Sequence, residues 1–207
     1  MTTVGFDLQR VQRIRKLAVL VALVGLMGAS MVTQSIDGID GAWHERVESI
    51  GLVAIVISIV GRAWCSLYIG GRKKSEIVDR GPYSITRNPL YVFSYIGAFG
   101  IGAQSGSASV GAAFVLAAMV VFYMTVKREE AFLEREFGAV YAVYKARTPR
   151  FWPRFSRWRD EEQLTIRPAL FVTTILDGLF FLLAIPVFEL IDIGQASGWL
   201  EVVARLP

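Results

Sequence analysis

Long apolar runs restrict this chain more than any other feature. Leu17 to Ile36 and Ser49 to Ile69 each match the roughly 20 residues that an α-helix needs to cross the hydrocarbon core of a bilayer. Pro89 to about Gln104 is shorter and bears glycines, Ala108 to Val126 is a fuller run, and only Gln104–Ser107 lies between the two. A last run from about Pro168 to Ile193 carries Asp177, Pro186 and Glu189. In lipid, backbone polar groups must be satisfied internally, which leaves helices or a closed barrel. The expectation is all-α: a polytopic membrane protein, one integral domain over residues 1–207, with about five transmembrane helices. Spans three and four would form a tight helical hairpin. Composition agrees, with 54% hydrophobic and 19% charged residues and a mean hydropathy of +0.46. The first run follows basic residues but lacks a small-residue cleavage site, so it reads as a retained helix and not a leader.

Lys and Arg accumulate on the cytoplasmic side of membrane proteins. The 1–16 tail holds Arg10, Arg13, Arg15 and Lys16, the segment after the second span holds Arg72, Lys73, Lys74, Arg80 and Arg87, and residues 127–167 hold ten more. The opposite connections hold only Arg46 and Arg205. Five spans then place the N-terminus and the polar segments in the cytoplasm and the C-terminus outside. The net charge of +4 follows from this bias and suits anionic lipid as a partner. No nucleic-acid motif accompanies it. The single Cys65 excludes an internal disulfide and a cysteine metal cluster. His44, the only histidine, falls in what reads as a loop beside Glu45, Arg46 and Glu48, so no metal site is expected.

Two polar segments remain on the cytoplasmic side. In the first, GPYSITRNPLY from Gly81 to Tyr91, Gly81 permits an unusual turn, Asn88 stands at an N-cap and Pro89 at the first helical position. Read alone, it is a connection whose Arg87 reaches headgroups and whose Tyr83 and Tyr91 join an interfacial aromatic belt. Gly97, Gly100 and Gly102 beyond it allow a ligand or a helix to approach the backbone closely. In the second, Lys127 to Phe155, Glu129 and Glu130 point about 100° apart on a helix. Leu133, Phe137, Val140, Tyr141 and Tyr144 line one face of an amphipathic cytoplasmic helix that Pro149 and Pro153 end. Trp152 and Trp158 suit the headgroup layer.

Together, the two segments, over residues 81–149, resemble the membrane-embedded methyltransferases of the isoprenylcysteine carboxyl methyltransferase and phospholipid methyltransferase group. Their pattern is G-x-Y-x-x-x-R-H-P-x-Y, a helical hairpin, then E-E-x-x-L-x-x-x-F-G-x-x-Y-x-x-Y. The resemblance implies S-adenosylmethionine as cofactor and a lipid or lipidated acceptor, either a prenylated cysteine carboxylate or a phospholipid amine. Gly81, Tyr83, Asn88, Tyr91, Glu129, Glu130, Tyr141 and Tyr144 take the cofactor-binding positions, with Glu130 favoured over Glu129, and Arg87 and Glu130 take the catalytic ones. Arg87 would orient an ionised carboxylate and Glu130 would serve as base for an amine. Asn88 replaces the family's histidine and cannot carry a proton at that position. Thr125 stands near where the isoprenylcysteine enzymes have an arginine. The alternative is a non-methylating membrane protein of the same architecture, a sterol-reductase-like enzyme or a binding component. Asp177, at membrane depth, is expected to pair with Arg62 of the second span.

Overall fold

The computed structural model describes residues 3–72 and 75–207, with side chains from Leu17 onward. The side chains of the basic N-terminal residues, and both Lys73 and Lys74, lie outside the described residues. Seven α-helices are described: α1 (Thr3–Val32), α2 (Ala42–Ile69), α3 (Pro82–Ile85), α4 (Pro89–Ala103), α5 (Ala108–Arg147), α6 (Pro168–Leu179) and α7 (Ala184–Ala196). Two three-residue strands, β1 (Thr33–Ser35) and β2 (Ala204–Leu206), pair in parallel with Thr33 opposite Ala204 and Ser35 opposite Leu206. The fold is all-α apart from this small ladder, whose three-residue strands are too short to carry a strand signature.

Three helical stretches are long and apolar enough to cross a membrane, Ala42–Ile69, Ala108–Arg147 and Pro168–Ala196. Leu17–Val32 and Pro89–Ala103 are shorter apolar helices. Only 11% of the apolar window of Pro168–Ala196 is buried by protein. A helix with that much greasy surface needs lipid around it, and the chain is an integral membrane protein. The third stretch is not one regular helix: Phe180–Leu183 form a 3-10 turn between α6 and α7. Pro186 explains the change, because it lacks the N–H that would bond the carbonyl of residue 182.

The chain forms two compact units, and the long helices contribute a part to each. The first comprises residues 1–52, 98–125 and 184–207. Its core is Val110, Phe114, Phe188 and Ile191, packed by Leu26, Met27, Ile101 and Leu206. The α4–α5 hairpin turns over Gln104–Ser107: Ser107 Oγ accepts from the Val110 N–H at 3.3 Å as an N-cap, and Gly106 has φ +67°. Gly102 allows the close approach that the sequence suggests, with Gly111 and Phe114 of α5 where a Cβ would stand. Gln195 donates to the carbonyls of Ser30, Met31 and Thr33 at 3.0 to 3.3 Å, satisfying the end of α1. His44 lies in the first turn of α2, where Asp37 Oδ2 accepts from the Trp43 N–H at 2.8 Å, and not in a loop.

The second unit comprises residues 53–97 and 126–183. Cys65, Tyr68 and Tyr83 form its buried cluster, and Trp64 stacks on Trp158 at 5.5 Å between ring centroids. The expected Arg62–Asp177 pair is not formed. Arg62 donates instead to Ser94 Oγ at 2.7 Å and lies over the Phe181 ring at 5.3 Å, whereas Asp177 is exposed. Residues 127–147, the expected amphipathic helix, follow directly on the apolar portion of α5 and are interrupted at Gly138, where φ 47° and ψ −119° kink the backbone between two helical stretches. Glu130, Tyr141 and Tyr144 are buried along it, but Val140, expected on the same face, is 64% exposed.

Candidate functional site

Backbone hydrogen bonds lace the segment after α5 alongside the one before α4. The N–H groups of Gly81, Arg87 and Arg154 donate to the carbonyls of Arg159, Pro149 and Ile85 at 2.8 to 3.0 Å. Tyr144 Oη donates to the Tyr83 carbonyl at 2.8 Å, and Thr86 Oγ1 to that of Arg150 at 3.1 Å. Gly81 makes the turn possible: its φ is +54°, and a Cβ there would enter the Tyr68 ring. Pro82 then begins α3, a single turn whose four residues are all buried.

Glu130 is the centre of the polar network. Arg150 donates to its Oε2 from Nε at 3.0 Å and from Nη2 at 2.7 Å. Its Oε1 accepts from Arg87 Nε at 3.1 Å and from Asn88 Nδ2 at 3.3 Å. Arg87 also donates from Nη1 to the carbonyls of Lys145 and Thr148, at 2.9 and 2.7 Å, and so closes the end of α5. Burial pushes the Glu130 carboxyl up, yet the hydrogen bonds from Arg150 and the charges of Arg87 and Arg150 outweigh it and hold it below the ordinary glutamate range. Asn88 stands at the N-cap position of α4, and its carbonyl accepts from Tyr91 and Val92. Its side chain, however, turns to Glu130 and to the Arg150 carbonyl at 3.1 Å instead of capping the helix.

Beside this network lies a cavity of about 200 Å³. Eight of the nine motif residues line it: Tyr83, Arg87, Asn88, Tyr91, Glu129, Glu130, Tyr141 and Tyr144. Gly81 does not, and its place is the turn against Tyr68. Ile69, Val78 and Leu90, which the motifs do not name, and the motif's Leu133 add apolar lining. The Tyr141 hydroxyl is fully buried and has no hydrogen-bond partner among the described residues. Burial and the nearby Glu130 charge push that phenol up to about 12, so it stays protonated and offers a donor. Sequence reasoning missed Arg150. Its signal was position, since it follows Thr148 and Pro149 where the helix stops and the chain turns back along the first motif.

Comparison with known proteins shows what the chain is similar to. The sequence profile described as phospholipid methyltransferase matches residues 49–140. The nickel-cobalt-cadmium resistance protein NccN of Alcaligenes xylosoxydans xylosoxydans is 34% identical over 159 residues, which cover 77% of this chain and 74% of that protein. The cobalt-zinc-cadmium resistance protein CzcN of Cupriavidus metallidurans is 37% identical over 158 residues, 76% of this chain and 73% of that protein. The chain belongs to the phospholipid methyltransferase family. No solved structure matches it. The profile of the phospholipid methyltransferase family takes in the whole first motif and the second as far as Val140, one residue before Tyr141. Tyr141, Tyr144 and Arg150 of this family member therefore enter the site from just beyond the matched residues, the two tyrosines from α5 past Gly138 and Arg150 from the segment after it.

Proposed function

We propose that the protein is an S-adenosylmethionine-dependent methyltransferase, working at the cytoplasmic face of the membrane on a lipid-like acceptor. The acceptor is an isoprenylcysteine-type carboxylate or a phospholipid amine. Five crossings, with the N-terminus inside and the C-terminus outside, complete this reading. The observation that carries it is the Tyr141 hydroxyl, a buried donor without a partner in a cavity lined by the family's own motif residues. A nucleoside ligand supplies the acceptor atoms that this donor lacks, and the rings of Tyr83, Tyr91 and Tyr144 offer flat apolar surface for a base. S-adenosylmethionine, when bound, supplies a methyl group activated on a sulfonium.

What the chain's residues contribute is placement. Charge is dispersed in such a displacement, so alignment and exclusion of water provide most of the help. Arg87 and Glu130 act in this scheme as positioning residues, because their hydrogen bonds are already committed to each other, to Arg150 and to the end of α5. A carboxylate held below its ordinary range with both oxygens occupied is a poor base. In this reading Glu129, half-buried at the cavity, and not the favoured Glu130, takes the ribose hydroxyls. The relatives named for resistance to nickel, cobalt, zinc and cadmium support a setting in which the methylated lipid belongs to the response to such metals.

The test is calorimetric binding of S-adenosylmethionine and S-adenosylhomocysteine to detergent-purified protein, followed by transfer of labelled methyl to a membrane lipid extract. Binding followed by label in the lipid fraction is the expected result. Binding without transfer to any lipid would favour a component without chemistry, a reading that the saturated hydrogen bonding of Glu130 and the loss of the histidine at Asn88 also suit. Absence of binding by stable protein in nanodiscs overturns the proposal.

A further inference from the structure

A second group of ionisable side chains lies within the first unit and takes no part in the methyl transfer proposed above. His44 and Glu48 stand one turn apart on α2, and Asp192 comes from α7. His44 Nε2 is 3.3 Å from Glu48 Oε1 and 3.6 Å from Asp192 Oδ2. The three groups can present one ligand atom each with all of these atoms within 4.8 Å of one another. The imidazole is buried, at 3% exposure, and the two carboxylates are partly open to their surroundings. Gly106, with φ +67°, fits against the ring, since a Cβ there would run into it. The ring's Nδ1 is buried without a hydrogen-bond partner among the described residues, and Nε2 faces the two acids.

We propose that His44, Glu48 and Asp192 form a binding site for a divalent transition-metal ion of the zinc type. On a tetrahedral ion with bonds of about 2.0–2.1 Å, neighbouring ligand atoms stand about 3.3 Å apart. The two separations from His44 Nε2, 3.3 and 3.6 Å, already have that size. Closing the carboxylates onto the ion completes three protein ligands and leaves a fourth position for water. Two carboxylates this close repel each other, and a dication removes the repulsion. The surrounding segments favour a cation too: residues 33–48 and 185–207 hold seven Asp and Glu against Arg46 and Arg205. An imidazole with two carboxylates suits zinc, cobalt or nickel, whereas magnesium and calcium prefer an all-oxygen set.

His44 is the only histidine of the chain, which makes the test direct. Tag-free protein labelled with 15N-histidine has one imidazole to observe by NMR. Added Zn2+ is expected to shift its Nε2 resonance at one equivalent, and Mg2+ to leave it in place. Co2+, used as a coloured probe, is expected to bind one to one with visible absorption bands, weakened by more than about tenfold in His44→Ala and Asp192→Asn. An imidazole unmoved by a tenfold excess of Zn2+ overturns the proposal and leaves a histidinium held between two acids. Co2+ bound equally well by folded His44→Ala protein also overturns it. If the variants do not fold, the wild-type NMR titration decides alone.

Discussion

Arg150 donates two hydrogen bonds to a single oxygen of Glu130, at 3.0 and 2.7 Å, while Arg87 and Asn88 take the other oxygen. One carboxylate thereby joins the connection before α4, the body of α5 and the segment after it. The side chains of Glu130 and Arg87 are 7% and 9% exposed, and that of Arg150 is 39% exposed, so the two arginines are not equivalent.

Glu130→Gln leaves the buried Arg87 without its counter-charge and is expected to cost about 3 kcal/mol. Arg150→Ala removes a partner that water can partly replace and is expected to cost about 1 kcal/mol. Unfolding in detergent, followed by intrinsic fluorescence, measures both. Equal losses would contradict the ranking.

The same carboxyl sets a dependence on acid. Its folded-state pKa lies below the unfolded one, because Arg150 and Arg87 outweigh burial. The stabilisation is therefore complete above the unfolded value and is lost as pH falls through the folded one. Below about pH 4.5, the unfolded glutamate value, the thermal midpoint of the wild type should fall more steeply than that of Glu130→Gln. Parallel curves would show that Glu130 is not the group responsible.

Tyr141→Phe separates binding from stability. Its hydroxyl has no hydrogen-bond partner among the described residues, so removing it should change stability by less than about 0.5 kcal/mol. Affinity for S-adenosylhomocysteine should fall about fivefold to tenfold, the worth of one hydrogen bond. Unchanged affinity would place the nucleoside elsewhere.

Gly81→Ala and Gly138→Ala meet the same backbone obstacle in different surroundings. Both positions have positive φ, +54° and +47°, but a Cβ at Gly81 enters the Tyr68 ring and one at Gly138 meets nothing within 4 Å. Strain alone costs about 1–3 kcal/mol, so Gly138→Ala should stay folded and Gly81→Ala should lose clearly more. Thermal midpoints of the two purified variants check the order.

Much of the site was legible because its signal is local. Glu130, Leu133, Phe137, Tyr141 and Tyr144 recur at three- and four-residue spacings, and Tyr83, Arg87 and Asn88 sit on a connection fixed by Gly81 and two prolines. The depth of Glu130 relative to Glu129 followed from the same spacing. What was not legible depends on distant partners or on broken periodicity. Arg150 belongs to neither face of α5, so only the folded chain shows its grip on Glu130. Arg62 finds Ser94 and Phe181 instead of Asp177, a choice that charge alone mispredicts. The approach of Asp192 to His44 spans more than a hundred residues and leaves no spacing to read.

Gly138 shows what the chain asks of that position. A Cβ there meets nothing within 4 Å, so what opposes an L-residue at this position is its handedness and not its bulk. The backbone there is the mirror image of one that ordinary L-residues adopt in turns, which a D-amino acid takes up without strain. A semisynthetic protein with D-alanine at 138 should therefore keep the elbow of α5, whereas its L-enantiomer, of identical size and composition, strains it.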